Sequence, residues 1–126
     1  MSDKDIFLLD TNTILYLIKG DENVLQLTEG KIVSLNFVTE IELLGWRLLT
    51  PELHDILLDL INNVQYFDYS YRIKQSTISL RQIYNLKLGD AFIAATALEH
   101  DLTLISANKS FAKVEELRLI NFVPTL

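Results

Sequence analysis

A three-layer α/β/α sandwich with a mainly parallel central sheet is the fold this sequence predicts. Apolar runs of strand length recur along the chain, each gives way to a stretch with helical spacing, and no repeat, low-complexity tract or linker interrupts the alternation. Such alternation buries both faces of a parallel sheet and joins its strands by right-handed crossovers. A length of 126 residues fits one domain over 1–126.

Ile6 to Leu9 is a continuous apolar run, as a strand buried on both faces requires. Thr11 to Lys19 switches to helical spacing through Ile14, Leu15, Leu17 and Ile18, with Gly20 as the stop. Ile32 to Phe37 reads as the second strand, followed by a helix from about Val38 to Leu48. Within it Trp46, among Leu43, Leu44, Leu48 and Leu49, is expected in the core. Thr50 is placed to cap a helix with Pro51 at its first position, and Leu53, Ile56, Leu57, Leu60 and Ile61 form its apolar stripe. Val64 to Tyr69 gives a third strand, and Ser70 caps a helix to about Leu86 with Ile73, Thr77, Leu80 and Tyr84 on one side. After a break at Asn85 to Gly89, Ala91 to Leu98 is apolar on every side, the mark of a helix buried all round. Leu102 to Ser106 and Leu119 to Val123 complete the sheet.

Composition narrows the function. An apolar share of 49%, two prolines and four glycines argue for a packed core. The absence of cysteine removes disulfides, zinc-thiolate centres and thiol nucleophiles, and suits a reducing compartment. Met1 to Asp5 carries acids ahead of a short apolar run, unlike a signal peptide, and no stretch approaches the roughly 18 apolar residues of a membrane span. A cytoplasmic protein is expected. The net charge of -6 runs against a nucleic-acid partner, but local charge governs a cleft. Lys19, Arg47, Arg72, Lys74, Arg81, Lys87 and Lys109 are available for a basic rim.

Four polar positions carry the chemistry: Asp10 closing the first strand, Glu42 in Thr-Glu-Ile-Glu-Leu, Asp90 in Leu-Gly-Asp-Ala-Phe, and Asn108 in Ser-Ala-Asn-Lys-Ser. Each of the three acids also has a local reading. Asp10 with Thr11 and Asn12 suits a strand end and helix cap, Thr39 to Glu42 has capping-box spacing, and Asp90 opens a helix. Together they say more, because such positions converge at the carboxyl edge of a parallel sheet. A carboxylate on the first turn of a buried helix gains about 0.3–1 kcal/mol from the helix dipole, less than the several kcal/mol that desolvation costs. A shared cation resolves this for Asp90 and Asp10 alike. Oxygen ligands alone point to Mg2+ or Mn2+, and the natural chemistry of such an ion is phosphodiester hydrolysis. His54 and His100 lie far apart and complete no ligand set, and no nucleophile elbow, Walker A loop or Gly-x-Gly-x-x-Gly fingerprint is present.

At these residues the chain resembles the PIN-domain ribonucleases, especially the compact VapC-type toxins of toxin-antitoxin pairs. Leu-Leu-Asp-Thr-Asn is similar to their first motif, Thr-Glu-Ile-Glu-Leu-Leu-Gly to their second and Leu-Gly-Asp-Ala-Phe-Ile-Ala-Ala-Thr-Ala to their third, in order from Ile6 to Val123. The resemblance implies that Asp10, Glu42 and Asp90 hold Mg2+ or Mn2+, with Thr11 and Asn12 supporting the first acid and Glu42 ligating the ion or positioning water. Many members carry an Asp where this chain has Asn108, and some place an acid at the position of Ser110, so the site has one less negative charge and should bind metal more weakly. Asn108 is still expected to ligate, or to orient a water through its carbonyl. Lys87 and Lys109 are the expected phosphate contacts. The implied activity is metal-dependent endoribonuclease cleavage of RNA by a homodimeric toxin, silenced by an antitoxin segment in an apolar groove around Leu43 to Ile61.

Two other functions compete. The neutral Asn108 motivates a catalytically weakened domain that serves as an RNA- or partner-binding scaffold. A phosphoacceptor signalling domain would need an acid pair near Asp10, which is missing, and an acceptor for which Asp68 is only a loose match.

Overall fold

The computed structural model describes residues 6–126, so the reading of Met1 to Asp5 lies outside the described residues. The first half runs β1 (Ile6–Leu9), α1 (Thr11–Lys19), α2 (Glu22–Thr28), β2 (Ile32–Asn36), α3 (Phe37–Leu44), α4 (Pro51–Asn63) and β3 (Gln65–Phe67). The second runs α5 (Tyr71–Ile83), α6 (Leu88–Glu99), β4 (Thr103–Ser106), a 3-10 helix (Lys109–Lys113) and β5 (Arg118–Asn121). The sheet has the order β3-β2-β1-β4-β5 and every pairing is parallel.

Period-two alternation along the central strand builds the layers. Ile6 and Leu8 of β1 enter one core with Ile73 and Leu80 of α5 and the apolar face of α6. Phe7 and Leu9 enter the other with Ile14 of α1, Val24 of α2, Leu43 of α3 and Leu57 of α4. The expected sandwich is therefore the observed one. Helix α6 buries Ala91, Ile93, Ala94, Ala95, Thr96 and Ala97, as its all-round apolar sequence requires.

Several boundaries differ from expectation, each for a local reason. Helix α3 starts at Phe37 because Asn36, fully buried, caps it: the Asn36 Oδ1 accepts from Thr39 N at 3.1 Å. Thr39 to Glu42 consequently forms no capping box, and the Glu42 side chain is free for another partner. The same helix ends at Leu44, short of the expected Leu48. Gly45 N donates to Ile41 O at 2.8 Å, and a Cβ at Gly45 would stand 2.6 Å from that oxygen. The chain turns away there and leaves Trp46 53% exposed, so its expected core position is incorrect. Ile56, expected in the α4 stripe, is likewise exposed.

The sequence reading also omits two elements. Helix α2 is capped by Asp21, whose Oδ1 accepts from Asn23 N and Val24 N. The same buried carboxylate accepts from Thr125 N at 2.6 Å and Leu126 N at 3.2 Å, tying the residues after β5 to the start of α2. The 3-10 helix is capped by Asn108 and buries Phe111.

Candidate active site

Strand order reverses beside β1: the chain builds outward through β2 and β3, then crosses back to lay β4 on the other side. The carboxyl ends of β1 and β4 therefore flank a crevice, the usual location of sites in open α/β sheets. Asp10 follows β1, Asn108 follows β4, and α3 and α6 supply Glu42 and Asp90. With Thr11 and Asn12 these residues line one cavity of about 120 Å3.

Asp10 is buried and firmly held. It caps α1, with Oδ1 accepting from Thr13 N at 2.9 Å, while the Thr13 hydroxyl lies 2.6 Å from Oδ1 and 3.0 Å from Ile105 O. Ser106 Oγ donates to Oδ2 and itself accepts from Asn108 N at 3.0 Å. The capping reading of Asp10 and its place in the crevice thus hold together. Thr13 and Ser106 are absent from the sequence-derived site. The Asp-x-x-Thr spacing at a helix start and a serine ending the neighbouring strand are the signals that point to them.

Glu42 sits in the first half of the site through Thr11, whose hydroxyl donates to Oε1 at 2.7 Å. Asp90 is the third residue of α6 and caps nothing, since Lys87 occupies the N-cap without a side-chain bond. Burial pushes its carboxyl above the ordinary range, and the charges of Asp10 and Glu42 push the same way, against the Asn108 hydrogen bond and Lys87. Among the described residues the ion pairs are His54–Asp55 and Arg118–Asp101, so none of the three acids has a basic partner in contact.

Asn108 departs from expectation. Its Oδ1 accepts from Ser110 N at 3.0 Å and Ser110 Oγ at 2.8 Å, which fixes the amide orientation because a backbone N–H must meet the oxygen. Its Nδ2 therefore faces Asp90 Oδ2, at 3.2 Å. The carbonyl expected to ligate a metal or orient water is engaged elsewhere, and the amide presents a donor to the carboxylate.

The donor set fits a hard divalent cation: three carboxylates without basic partners, with mutual repulsion at Asp90, border one polar cavity. Among the described residues no three acidic or histidine side chains are clustered tightly enough to hold an ion as they stand. Asp68 is exposed beyond β3 and His54 and His100 are on the surface; none lines this cavity.

Asp90 and Asn108 also line a larger adjoining cavity of about 580 Å3, bordered by Arg81, Lys87 and Lys113. Lys87 is thus beside the acids as expected. Lys109 lines neither cavity, and Lys113 takes a place the sequence reading did not assign. On the other side Thr11 and Glu42 border an apolar groove of about 240 Å3 with Leu15, Leu43, Trp46 and Leu57, between α1, α3 and α4.

A parallel 3-2-1-4-5 sheet with acids from three elements at its switch point defines an α/β protein with a carboxylate crevice. Residues 7–117 match the family model described as PIN domain, and the chain belongs to that family. No curated protein matches it. Among solved structures it is similar to a toxin-antitoxin complex from Klebsiella pneumoniae, at 29% identity and a TM-score of 0.78, covering 90% of this chain and 95% of that one. It shares its fold with VapBC2 from Rickettsia felis bound to a promoter DNA fragment, at 21% identity and a TM-score of 0.80, covering 94% and 99%. The DNA-bound VapBC of Salmonella typhimurium gives 23% identity and a TM-score of 0.79, covering 91% and 96%.

Proposed function

We propose that this protein is a metal-dependent endoribonuclease acting in the cytoplasm as the toxin of a toxin-antitoxin pair. PIN domains are in general nucleases, and solved toxin-antitoxin complexes share this fold. The observation that carries the reading is the convergence of Asp10, Glu42 and Asp90, from three separate elements, on one cavity.

In this reading Asp10 and Asp90 hold Mg2+ or Mn2+, and Glu42 ligates the ion or positions the attacking water. The bound ion would lower the pKa of water and stabilise charge on the phosphate. Thr13 and Ser106 keep both Asp10 oxygens oriented, and Thr11 holds Glu42 toward the cavity. Asn108 holds Asp90 by its amide rather than acting as a fourth ligand. The antitoxin is proposed to lay a segment in the groove between α1, α3 and α4. Homodimerisation is proposed through the apolar surface of Val38, Ile41, Leu88 and Phe92.

The test is incubation of a mixed RNA pool with purified, partner-free protein in Mg2+, Mn2+ or EDTA, beside Asp90→Asn. Metal-dependent cutting by the wild type alone is expected; equal cutting by the variant would defeat the assignment. The orientation of Asn108 favours one alternative, an RNA- or partner-binding scaffold that retains binding without turnover. Metal binding by calorimetry with no cleavage of any RNA would favour it.

A further inference from the structure

The cavity of about 580 Å3 that adjoins the acids has its charges sorted by position. Among the described residues Asp90 is its one acid and is shared with the carboxylate cavity, while Arg81, Lys87 and Lys113 supply three cations. Among the described residues none of these cations is ion-paired with a carboxylate. The wall contributed after β4 carries Asn108 and Ser110 beside Lys113; these two are neutral and hydrogen-bonded to one another, and among the described residues that wall bears no acid. Nothing on that wall competes for the cations.

The walls are also tied at a set spacing. Lys113 Nζ, from the 3-10 helix, donates to Asn85 O in the α5–α6 connection at 2.7 Å. An ammonium has three donors, so this bond leaves two for a ligand. Arg81 is exposed on the last turn of α5, and its guanidinium can meet a phosphate with two parallel donors.

We propose that Arg81, Lys87 and Lys113 form a seat for a backbone phosphate next to the one cleaved, so that an RNA strand enters across the α5–α6 connection and the 3-10 helix. This rests on the nuclease reading and extends it: the strand's path is set by a polar track from the cations, past Asn108 and Ser110, to Asp90. The neutrality of Asn108 and Ser110 then has a use, because an acid at either position would pair with the cations and repel the phosphate.

The test measures binding of a short single-stranded oligoribonucleotide in EDTA, where cleavage is not required, as a function of salt. Variants are Arg81→Gln, Arg81→Gln with Lys113→Gln, and Ser110→Glu, with Lys31→Gln before β2, at the opposite edge of the sheet, as the control. Each lost phosphate contact should reduce the slope of log affinity against log salt by about 0.7. The double variant and Ser110→Glu should each bind at least tenfold more weakly, with the control within twofold of wild type. Arg81→Gln alone, at an exposed position, reads the same effect without disturbing the Lys113 tie.

Unchanged affinity and slope in Arg81→Gln and the double variant, equal loss in the control, or no wild-type binding would overturn the seat. A wild type that cuts RNA while the double variant cuts and binds equally well would defeat the seat and leave the nuclease standing. A wild type that binds through these cations but never cuts with Mg2+ or Mn2+ would defeat the nuclease and leave the seat.

Discussion

Asp90 ionises against resistance, and that resistance makes a measurable prediction. Its folded-state pKa is raised, first by burial and then by Asp10, above its ordinary value of 3.8. Between the two values the folded protein binds more protons than the unfolded chain, so stability falls as pH rises through that window and stays lower at neutral pH. Asp90→Asn removes the charge and keeps an acceptor for the Asn108 amide. In EDTA at pH 7 the variant should therefore melt higher than wild type, and the gap should close as pH falls to 3.8 and below; a lower melting point at pH 7 would contradict the electrostatic account. Ser106→Ala tests support at one remove: losing the hydroxyl between Asp10 and Asn108 N should lower Mn2+ affinity by about 10–100-fold in calorimetry without unfolding the protein. Asp10 and Asp90 were legible in sequence because each charge adjoins an apolar run that must be buried. Glu42 was legible through its company with the other polar positions and through the family motif, since its local spacing suggested a cap that Asn36 in fact provides. The Asn108 orientation was not legible, because it depends on hydrogen bonds from Ser110 that only the 3-10 turn creates.

At the scale of elements, the caps decide where functional side chains point. Asn36 is fully buried, accepts from Thr39 N and donates to Thr96 Oγ1 at 3.1 Å, so it fixes the start of α3 against α6. Asn36→Ala should cost roughly 1–3 kcal/mol in denaturant unfolding through the lost cap and an unsatisfied buried partner. It should also reduce cleavage, because α3 carries Glu42. Asp21 holds the residues after β5 to α2, and although desolvation opposes its charge, hydrogen bonds from Val24, Thr125 and Leu126 keep its pKa below 3.8. Its stabilisation is present above the unfolded value and lost as pH falls through the lower folded value. Asp21→Asn should lower the melting temperature at pH 7 and flatten the decline on the acid side of 3.8. The longer segments were readable because α4 carries an apolar stripe that matches one burial direction and α6 is apolar on every side. Helix α2 and the 3-10 helix were not, since each is short and rests on a single capping side chain plus one or two buried residues.

On the scale of the whole molecule, the sheet order brings residues from both halves of the chain to one edge. That order was not readable, since β3 has only three paired residues and nothing local says that β4 returns to β1. The net charge of -6 was a poor guide for the same reason: Arg81, Lys87 and Lys113 become neighbours only after folding. If the acids bind one ion in the native state alone, Mn2+ at about 100 times its dissociation constant should add about 2.7 kcal/mol of stability, a melting shift on the order of 10 °C. Differential scanning measurements with Mn2+ and EDTA check this, and Asp10→Asn should abolish the shift.

Thr11 and Glu42 border both the acid cavity and the apolar groove, so the two surfaces meet along a shared seam. If the groove takes an antitoxin segment as proposed, a segment long enough to overlap the acid cavity would exclude substrate from it, and thermodynamic linkage would make that coupling reciprocal. A peptide filling the groove would act as a competitive inhibitor when it reaches past Glu42, raising the apparent KM and leaving kcat unchanged. By the same factor, abundant RNA would loosen the peptide, making the protein's release from its partner sensitive to how much substrate surrounds it.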